Sequence, residues 1–109
     1  MKAEHISHLP VGLDAARICV ASSFVRRLRG LMGTKQYPQQ YDVLYFPRCR
    51  AIHTIGMRYP IDVVFLDSKG AVCAYHTCVK PGRWLIGARS VRGVLELAPS
   101  SSLKEILKD

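Results

Sequence analysis

"IDVVFLDSKGAVCAYHTCV", residues 61–79, contains two apolar runs rich in β-branched and aromatic residues on either side of a short polar sequence. Residues of these types favour β-strands because their side chains pack well on a pleated surface. The polar sequence DSKG, residues 67–70, has the composition of a tight hairpin turn. The segment therefore predicts two antiparallel strands, 61–66 and 71–79, joined by that turn.

Further runs of this kind lie on both sides of the hairpin, at residues 13–21, 43–46, 50–55 and 93–98. Proline, glycine and polar residues separate them, and the connections beyond residue 43 are too short to hold crossover helices. Parallel neighbours need such crossovers, so we expect the strands to run antiparallel. Five or six antiparallel strands most economically close into a small barrel or pack as a compact sandwich.

Two short helices are predicted beside the strands. Ser22 and Ser23 can cap residues 24–32, in which apolar side chains recur at helical spacing, and a glycine follows as a stop. Near the C-terminus, Ser102 and Glu105 have the spacing of a capping box. We predict a mainly β fold with minor α: a small single-domain antiparallel β-barrel-like fold, with one short helix after the first strand and a short C-terminal helix.

The length of 109 residues matches one domain of ordinary size and leaves no room for a second. A composition of 49% hydrophobic and 22% charged residues excludes the class of chains that stay disordered for lack of a core. We predict a single domain over 1–109, with a flexible N-terminus at 1–12, a core at about 13–99 and a terminal helix at 100–109.

The chain is basic, with 16 Lys and Arg against 8 Asp and Glu and a formal net charge of +8. Such a charge accelerates encounters with anionic partners, among them nucleic acid, phosphorylated metabolites and acidic lipid surfaces.

The N-terminal sequence MKAEHISHLP lacks the apolar core, about 7 to 15 residues long, of a secretory signal. No run approaches the roughly 20 apolar residues of a membrane-spanning helix, so we expect a soluble cytoplasmic protein.

Three motifs follow one another along the chain: RLRGLMG at 27–33, IHTIGMRYPIDVVFLDSKGAV at 52–72 and GVLELAP at 93–99. In this order they resemble the DUF192 family, a group of small bacterial and archaeal proteins of unknown function, over roughly residues 15–99. The resemblance implies a compact, mainly antiparallel β fold of the barrel type, usually without a known cofactor. It implies no established activity.

A polar cluster is predicted where residues 51–55 and 61–66 meet. If these strands form a hairpin around GMRYP, antiparallel register places Thr54 opposite Asp62, and a slip by one residue places His53 there instead. Arg58 lies in the connecting loop. An imidazole, a hydroxyl, a carboxylate and a guanidinium together can bind an anion or perform acid–base chemistry. The alternative is that Thr54 and Asp62 only tie the loop to the end of the sheet through backbone hydrogen bonds.

Two more residues are added to this ligand-binding hypothesis, Trp84 and Glu96. Glu96 alternates with Val94 in the last strand, so its side chain faces either solvent or a polar barrel end. Solvent is favoured because glutamate is seldom fully buried.

A mixed metal site of Cys49, His53, His76 and Cys78 is the weaker use of those residues, because their spacing matches no paired cysteine signature. We therefore expect no metal and no cofactor.

Basic residues also accompany aromatic ones, in RCR at 48–50 and between Arg83 and Arg92, with Tyr45, Tyr59 and Trp84 interleaved. This pattern is compatible with weak single-stranded nucleic-acid binding, although no RNA-binding signature is present. We expect a non-enzymatic binding or accessory module for an anionic small ligand or a protein partner. The alternatives are a small hydrolytic enzyme using His53 and Asp62, and the weak nucleic-acid binder.

Overall fold

The structure is a computed structural model that describes residues 16–21 and 31–107, apart from the side chain of Ile106. Within these ranges the elements, in chain order, are β1 (Ile18–Val20), β2 (Val43–Pro47), β3 (Ala51–His53), β4 (Ile61–Leu66), β5 (Val72–Val79), β6 (Trp84–Ile86), β7 (Gly93–Leu97) and α1 (Lys104–Leu107). The described part is therefore mainly β with almost no helix. None of its helices is long and apolar enough to cross a bilayer.

Five strands form one sheet in the order β1-β2-β7-β4-β5, and β3 pairs only with β6 in a separate two-stranded sheet, called the ribbon below. The predicted barrel is wrong, because the five-stranded sheet ends at β1 and β5 and does not close. The predicted antiparallel arrangement holds for every described pair except β1 and β2, which are parallel. Residues 21–42 separate β1 from β2, and this connection is long enough for a crossover.

The hairpin that opened the sequence analysis is confirmed. β4 and β5 pair antiparallel, with Val64 opposite Tyr75 and Phe65 opposite Ala74. In the turn between them, one carboxylate oxygen of Asp67 accepts the backbone N–H groups of Lys69 at 2.8 Å and Ala71 at 2.9 Å. These hydrogen bonds, chiefly that from Ala71, hold the pKa of Asp67 below its usual value.

Neither predicted helix is confirmed as it was predicted. The C-terminal helix is a single turn, Lys104–Leu107, shorter than the predicted 100–109. The Ser101 hydroxyl accepts the N–H of Leu103 at 3.2 Å in the turn that precedes this helix. The helix predicted at 24–32 lies outside the described residues except for its last two, which belong to a turn.

The core consists of two apolar layers, one on each face of the five-stranded sheet. The ribbon-side core lies between that sheet and the ribbon and includes Leu44, Phe46, Ile52, Met57, Ile61, Val63, Phe65 and Val94. The helix-side core lies on the opposite face and includes Ile18, Val43, Val64, Leu66, Leu95, Leu97 and Leu107. Because both faces are covered, β4 and β7 are buried along their whole length.

Candidate functional site

The ribbon presents one face to the core and the other to solvent. Ile52 of β3 is buried and Leu85 of β6 packs against the same core, so these side chains face inward. Side chains alternate along a strand, and the residues between them therefore face outward. Trp84 is 63% exposed and Ile86 is 71% exposed, which makes them the most exposed large apolar side chains of the described chain.

His53 and Trp84 are directly opposite each other in the ribbon. Their ring centroids lie 5.1 Å apart with the planes tilted by 52°, so the imidazole contacts the indole without covering it. His53 Nδ1 accepts the backbone N–H of Ile55 at 3.2 Å. In the neutral ring the proton then resides on Nε2, which is the nitrogen able to donate to a ligand.

Exposed arginines lie at both ends of the ribbon. Arg50 directly precedes β3 and Arg83 directly precedes β6, and because the strands are antiparallel these two residues are at opposite ends. Arg58 lies in the loop that leaves β3 at the Arg83 end. Segments 43–61 and 68–95, which include the whole ribbon, contain no Asp or Glu. In the described part of the chain the salt bridge is elsewhere, between Arg17 and Asp42 at 2.9 Å.

Thr54 fastens the turn that begins β6. Its fully buried hydroxyl donates to the carbonyl of Lys80 at 2.7 Å and accepts the N–H of Arg83 at 2.9 Å. Its backbone N–H donates to the Arg83 carbonyl at 2.8 Å, and its carbonyl accepts the N–H of Gly82 at 3.0 Å. These bonds set the register that places Trp84 beside His53.

Asp62 occupies a different place from the one predicted. β3 pairs with β6, while β4 pairs with β5 and β7, so the predicted register with Thr54 opposite Asp62 is wrong. Asp62 is 1% exposed, and its two oxygens accept the N–H of Cys78 at 2.9 Å and the hydroxyl of Tyr75 at 2.8 Å. Cys78 has a positive φ of 49° within an irregular part of β5, and the Asp62 carboxylate holds that irregularity in place.

Glu96 is buried, contrary to the prediction that its side chain faces solvent. It is 3% exposed and pairs with Leu44 on one side and Val63 on the other, which places it on the ribbon-side face. Burial raises the pKa of its carboxyl from 4.5 to about 8. The cover comes from the loop after residue 31, whose Tyr37 hydroxyl donates to the Glu96 carbonyl at 2.6 Å.

The structure therefore does not bring the six predicted site residues together in one place. Half-buried His53 and exposed Trp84 form the ring pair, and Arg58 lies in the loop at the same end of the ribbon. Thr54 supports the ring pair from the inner side. Asp62 and Glu96 are buried on opposite faces of the larger sheet. Ile86 was missed, because the three-residue strand β6 is too short to give a recognisable alternation.

Two other features lie apart from the ribbon. An open, polar cavity of about 710 Å³ lies between the loop at 36–42 and residues 98–102, with the Arg17–Asp42 salt bridge in its wall. Across residues 16–21 and 31–107, no three His, Cys, Asp or Glu side chains converge as metal ligands would. Cys49, Cys73 and Cys78 are free thiols, and the Cys49 thiol donates to the carbonyl of Ala51 at 3.1 Å.

Comparison with known proteins identifies a family of unknown function and two solved structures of similar fold. The model of the DUF192 family, described as "Uncharacterized ACR", matches residues 9–107. A Novosphingobium aromaticivorans protein of unknown function is similar in structure, with a TM-score of 0.66 and 17% identity over 82% of this chain and 66% of its own. A Sinorhizobium meliloti protein named a "putative transcription regulator" has a TM-score of 0.64 and 22% identity over 81% of this chain and 71% of its own. No curated protein sequence matches.

Proposed function

The chain belongs to the uncharacterised DUF192 family, and we propose that it is a non-enzymatic module that binds an anionic ligand or partner through the outer face of the β3–β6 ribbon. The observation that carries this proposal is the contact between half-buried His53 and exposed Trp84, with arginines at both ends of the ribbon. A tryptophan that is 63% exposed is an unusual use of the largest apolar side chain, and contact with a ligand accounts for it.

Charge determines the kind of ligand. Arg50, Arg58 and Arg83 are exposed, and the segments around them contain no acidic residue that would neutralise them. Guanidinium groups bind phosphate and carboxylate in bidentate geometry, so anions are the ligands that such a surface favours. The net charge of +8 also accelerates the encounter with anionic ligands.

The geometry favours binding over hydrolysis. A base formed by His53 and oriented by Asp62 needs a hydrogen bond between the two side chains. Instead, Nδ1 of His53 accepts the N–H of Ile55, while both oxygens of Asp62 accept other donors in the opposite half of the protein. The buried carboxyl of Glu96 lies on the larger sheet, next to the loop after residue 31, and not on the outer face of the ribbon.

The name of the Sinorhizobium meliloti neighbour is consistent with an anionic polymer as the partner. At 22% identity the similarity to that protein shows a shared fold and no shared function. The proposal is therefore argued from the residues of the ribbon.

Trp84 is the single tryptophan of the chain, so its fluorescence reports directly on the proposed site. The test is a titration with inorganic polyphosphate, an anionic polymer without rings, at low salt. We expect saturable binding that weakens in Arg83→Gln and Arg58→Gln. The matched control is Lys69→Gln, which removes one exposed positive charge from the β4–β5 turn, at the far end of β4 from Arg58.

Equal weakening by all three substitutions would mean that only the net charge matters, and would contradict a site at the ribbon. Absence of saturable binding would contradict anion binding itself. Turnover that His53→Ala abolishes in a folded protein would support the hydrolytic alternative instead.

A further inference from the structure

We infer that the anionic ligand of the ribbon is a single-stranded nucleic acid, one unpaired base of which stacks on Trp84. The inference rests on the proposed function and names the ligand class of the same surface. Three observations carry it: the open shape of the ribbon face, the accessible indole, and the position of the arginines on either side of the ring pair.

The shape of the surface favours a polymer over a small molecule. Small ligands are usually held in concave pockets that bury most of their surface. The outer face of the ribbon is open, with Trp84 63% and Ile86 71% exposed. A ligand on an open face needs several contacts along its length, and a polymer supplies them.

The indole supplies a stacking platform. His53 contacts the Trp84 ring at a tilt of 52°, which restricts the ring while leaving most of its surface accessible. Every nucleobase has a π face, and stacking on an aromatic side chain stabilises single-stranded nucleic acid without regard to sequence. The bases of a duplex are already stacked on one another, so the platform suits an unpaired base.

The arginines are placed for a ligand that extends past the ring in both directions. Arg50 lies beyond one end of the ribbon, and Arg83 and Arg58 lie at the other. A stacked nucleotide in a strand has a phosphate on its 5′ side and another on its 3′ side. An acidic peptide would also pair with these arginines, but its carboxylates would make no use of the indole face.

The test compares a single strand that carries bases with an abasic strand and with a duplex. We would measure binding of a fluorescently labelled oligothymidylate of about 12 nucleotides, an abasic strand of the same length and a duplex of the same length. We expect the base-bearing single strand to bind about 5- to 150-fold more tightly than the abasic strand, the range that one stacked base provides. We also expect it to quench Trp84 fluorescence.

Three variants separate stacking from charge. Trp84→Leu keeps an apolar side chain on an exposed position and is expected to abolish the preference for the base-bearing strand. Ile86→Ala removes an exposed apolar side chain from the same face and is expected to preserve it. In Arg83→Gln the slope of log affinity against log salt should become shallower by about 0.7, the value for one phosphate contact on a single strand.

The outcomes distinguish this inference from the proposed function. If base-bearing and abasic strands bind equally and Arg83→Gln weakens both, anion binding stands and the stacking inference is wrong. If the duplex binds as tightly as the single strand, the inference is also wrong. If neither the strands nor inorganic polyphosphate binds, both proposals fail. Self-association that Ile86→Ala abolishes, without oligonucleotide binding, would show that the face joins two copies of the chain and would overturn the inference.

Discussion

Asp62 and Glu96 lie on adjacent rungs of the ladder between β4 and β7, yet their side chains are buried on opposite faces of the sheet. Asp62 pairs with Leu97 and Glu96 pairs with Val63. Since side chains alternate, Asp62 points into the helix-side core and Glu96 into the ribbon-side core. The two buried carboxyls of the described chain therefore cannot act on one substrate, and neither reaches the outer face of the ribbon.

Asp62 is expected to stabilise the fold rather than to bind a ligand. In Asp62→Ala the backbone N–H of Cys78 loses its partly buried hydrogen bond to the carboxylate, and the free energy of unfolding should fall by about 1 to 3 kcal/mol. Urea denaturation measures the loss, and a polyphosphate titration of the folded variant measures binding. Loss of polyphosphate binding with an unchanged free energy of unfolding would instead indicate that Asp62 contributes to the ligand site.

Thr54 is expected to control the turn that positions Trp84. Thr54→Val keeps the shape but leaves the Lys80 carbonyl and the Arg83 N–H without their buried partner, which should cost about 1 to 3 kcal/mol. Hydrogen exchange at the Arg83 amide should accelerate more than exchange in β4. The control is Thr77→Val, at an exposed position of β5. Equal effects of the two substitutions would contradict the role of the Thr54 hydroxyl.

Gly56 and Gly82 form a matched pair of turn glycines, with φ of +84° and +86°. Alanine at either position is strained by about 1 to 2 kcal/mol in this region of backbone space. A Cβ at Gly56 would also lie 2.7 Å from Met32 Cγ, whereas one at Gly82 meets nothing within 4 Å. Gly56→Ala should therefore lower the thermal midpoint more than Gly82→Ala. The difference should shrink in a Met32→Ala background, and a difference that stays the same would contradict the contact.

The sequence predicts local features of this protein better than the pairing of distant ones. The 61–79 hairpin follows from its own residues, because two apolar runs and a tight turn leave one simple pairing. The hairpin of β3 with β4 was predicted because neighbours in sequence often pair, but the ribbon residue Trp84 pairs with His53 instead. That pairing depends on the Thr54 hydrogen bonds to a turn 26 and more residues away in sequence.

The sequence also predicts only part of the candidate site. Trp84 and Arg58 could be chosen from residue type, since exposed rings and charges carry recognition. The burial of Glu96 could not be predicted, because its cover is supplied by Tyr37, 59 residues earlier in the chain. An alternating strand pattern shows which residues share a face, and only the tertiary structure shows what covers that face.

Burial of Glu96 makes stability depend on pH in a definite direction. The pKa of its carboxyl is about 8 in the folded protein, compared with 4.5 for the same carboxyl in the unfolded chain. Between these values the unfolded chain has released its proton while the folded protein retains it, so raising the pH favours unfolding. The contribution of the protonated Glu96 carboxyl to the free energy of unfolding is fully present below pH 4.5 and is lost as the pH rises through about 8. The slope should approach about 1.4 kcal/mol per pH unit between those limits.

Glu96→Gln isolates this contribution, because the amide has similar size and does not titrate. Urea unfolding at a series of pH values should show the two proteins with similar stability at pH 5. By pH 8 the variant should be more stable, by on the order of 2 to 4 kcal/mol. Histidine ionisation affects both proteins alike and cancels in the difference. Parallel stability profiles would show that the Glu96 carboxyl ionises in the folded state at its ordinary pKa, and that burial between the sheet and the loop does not hold its proton.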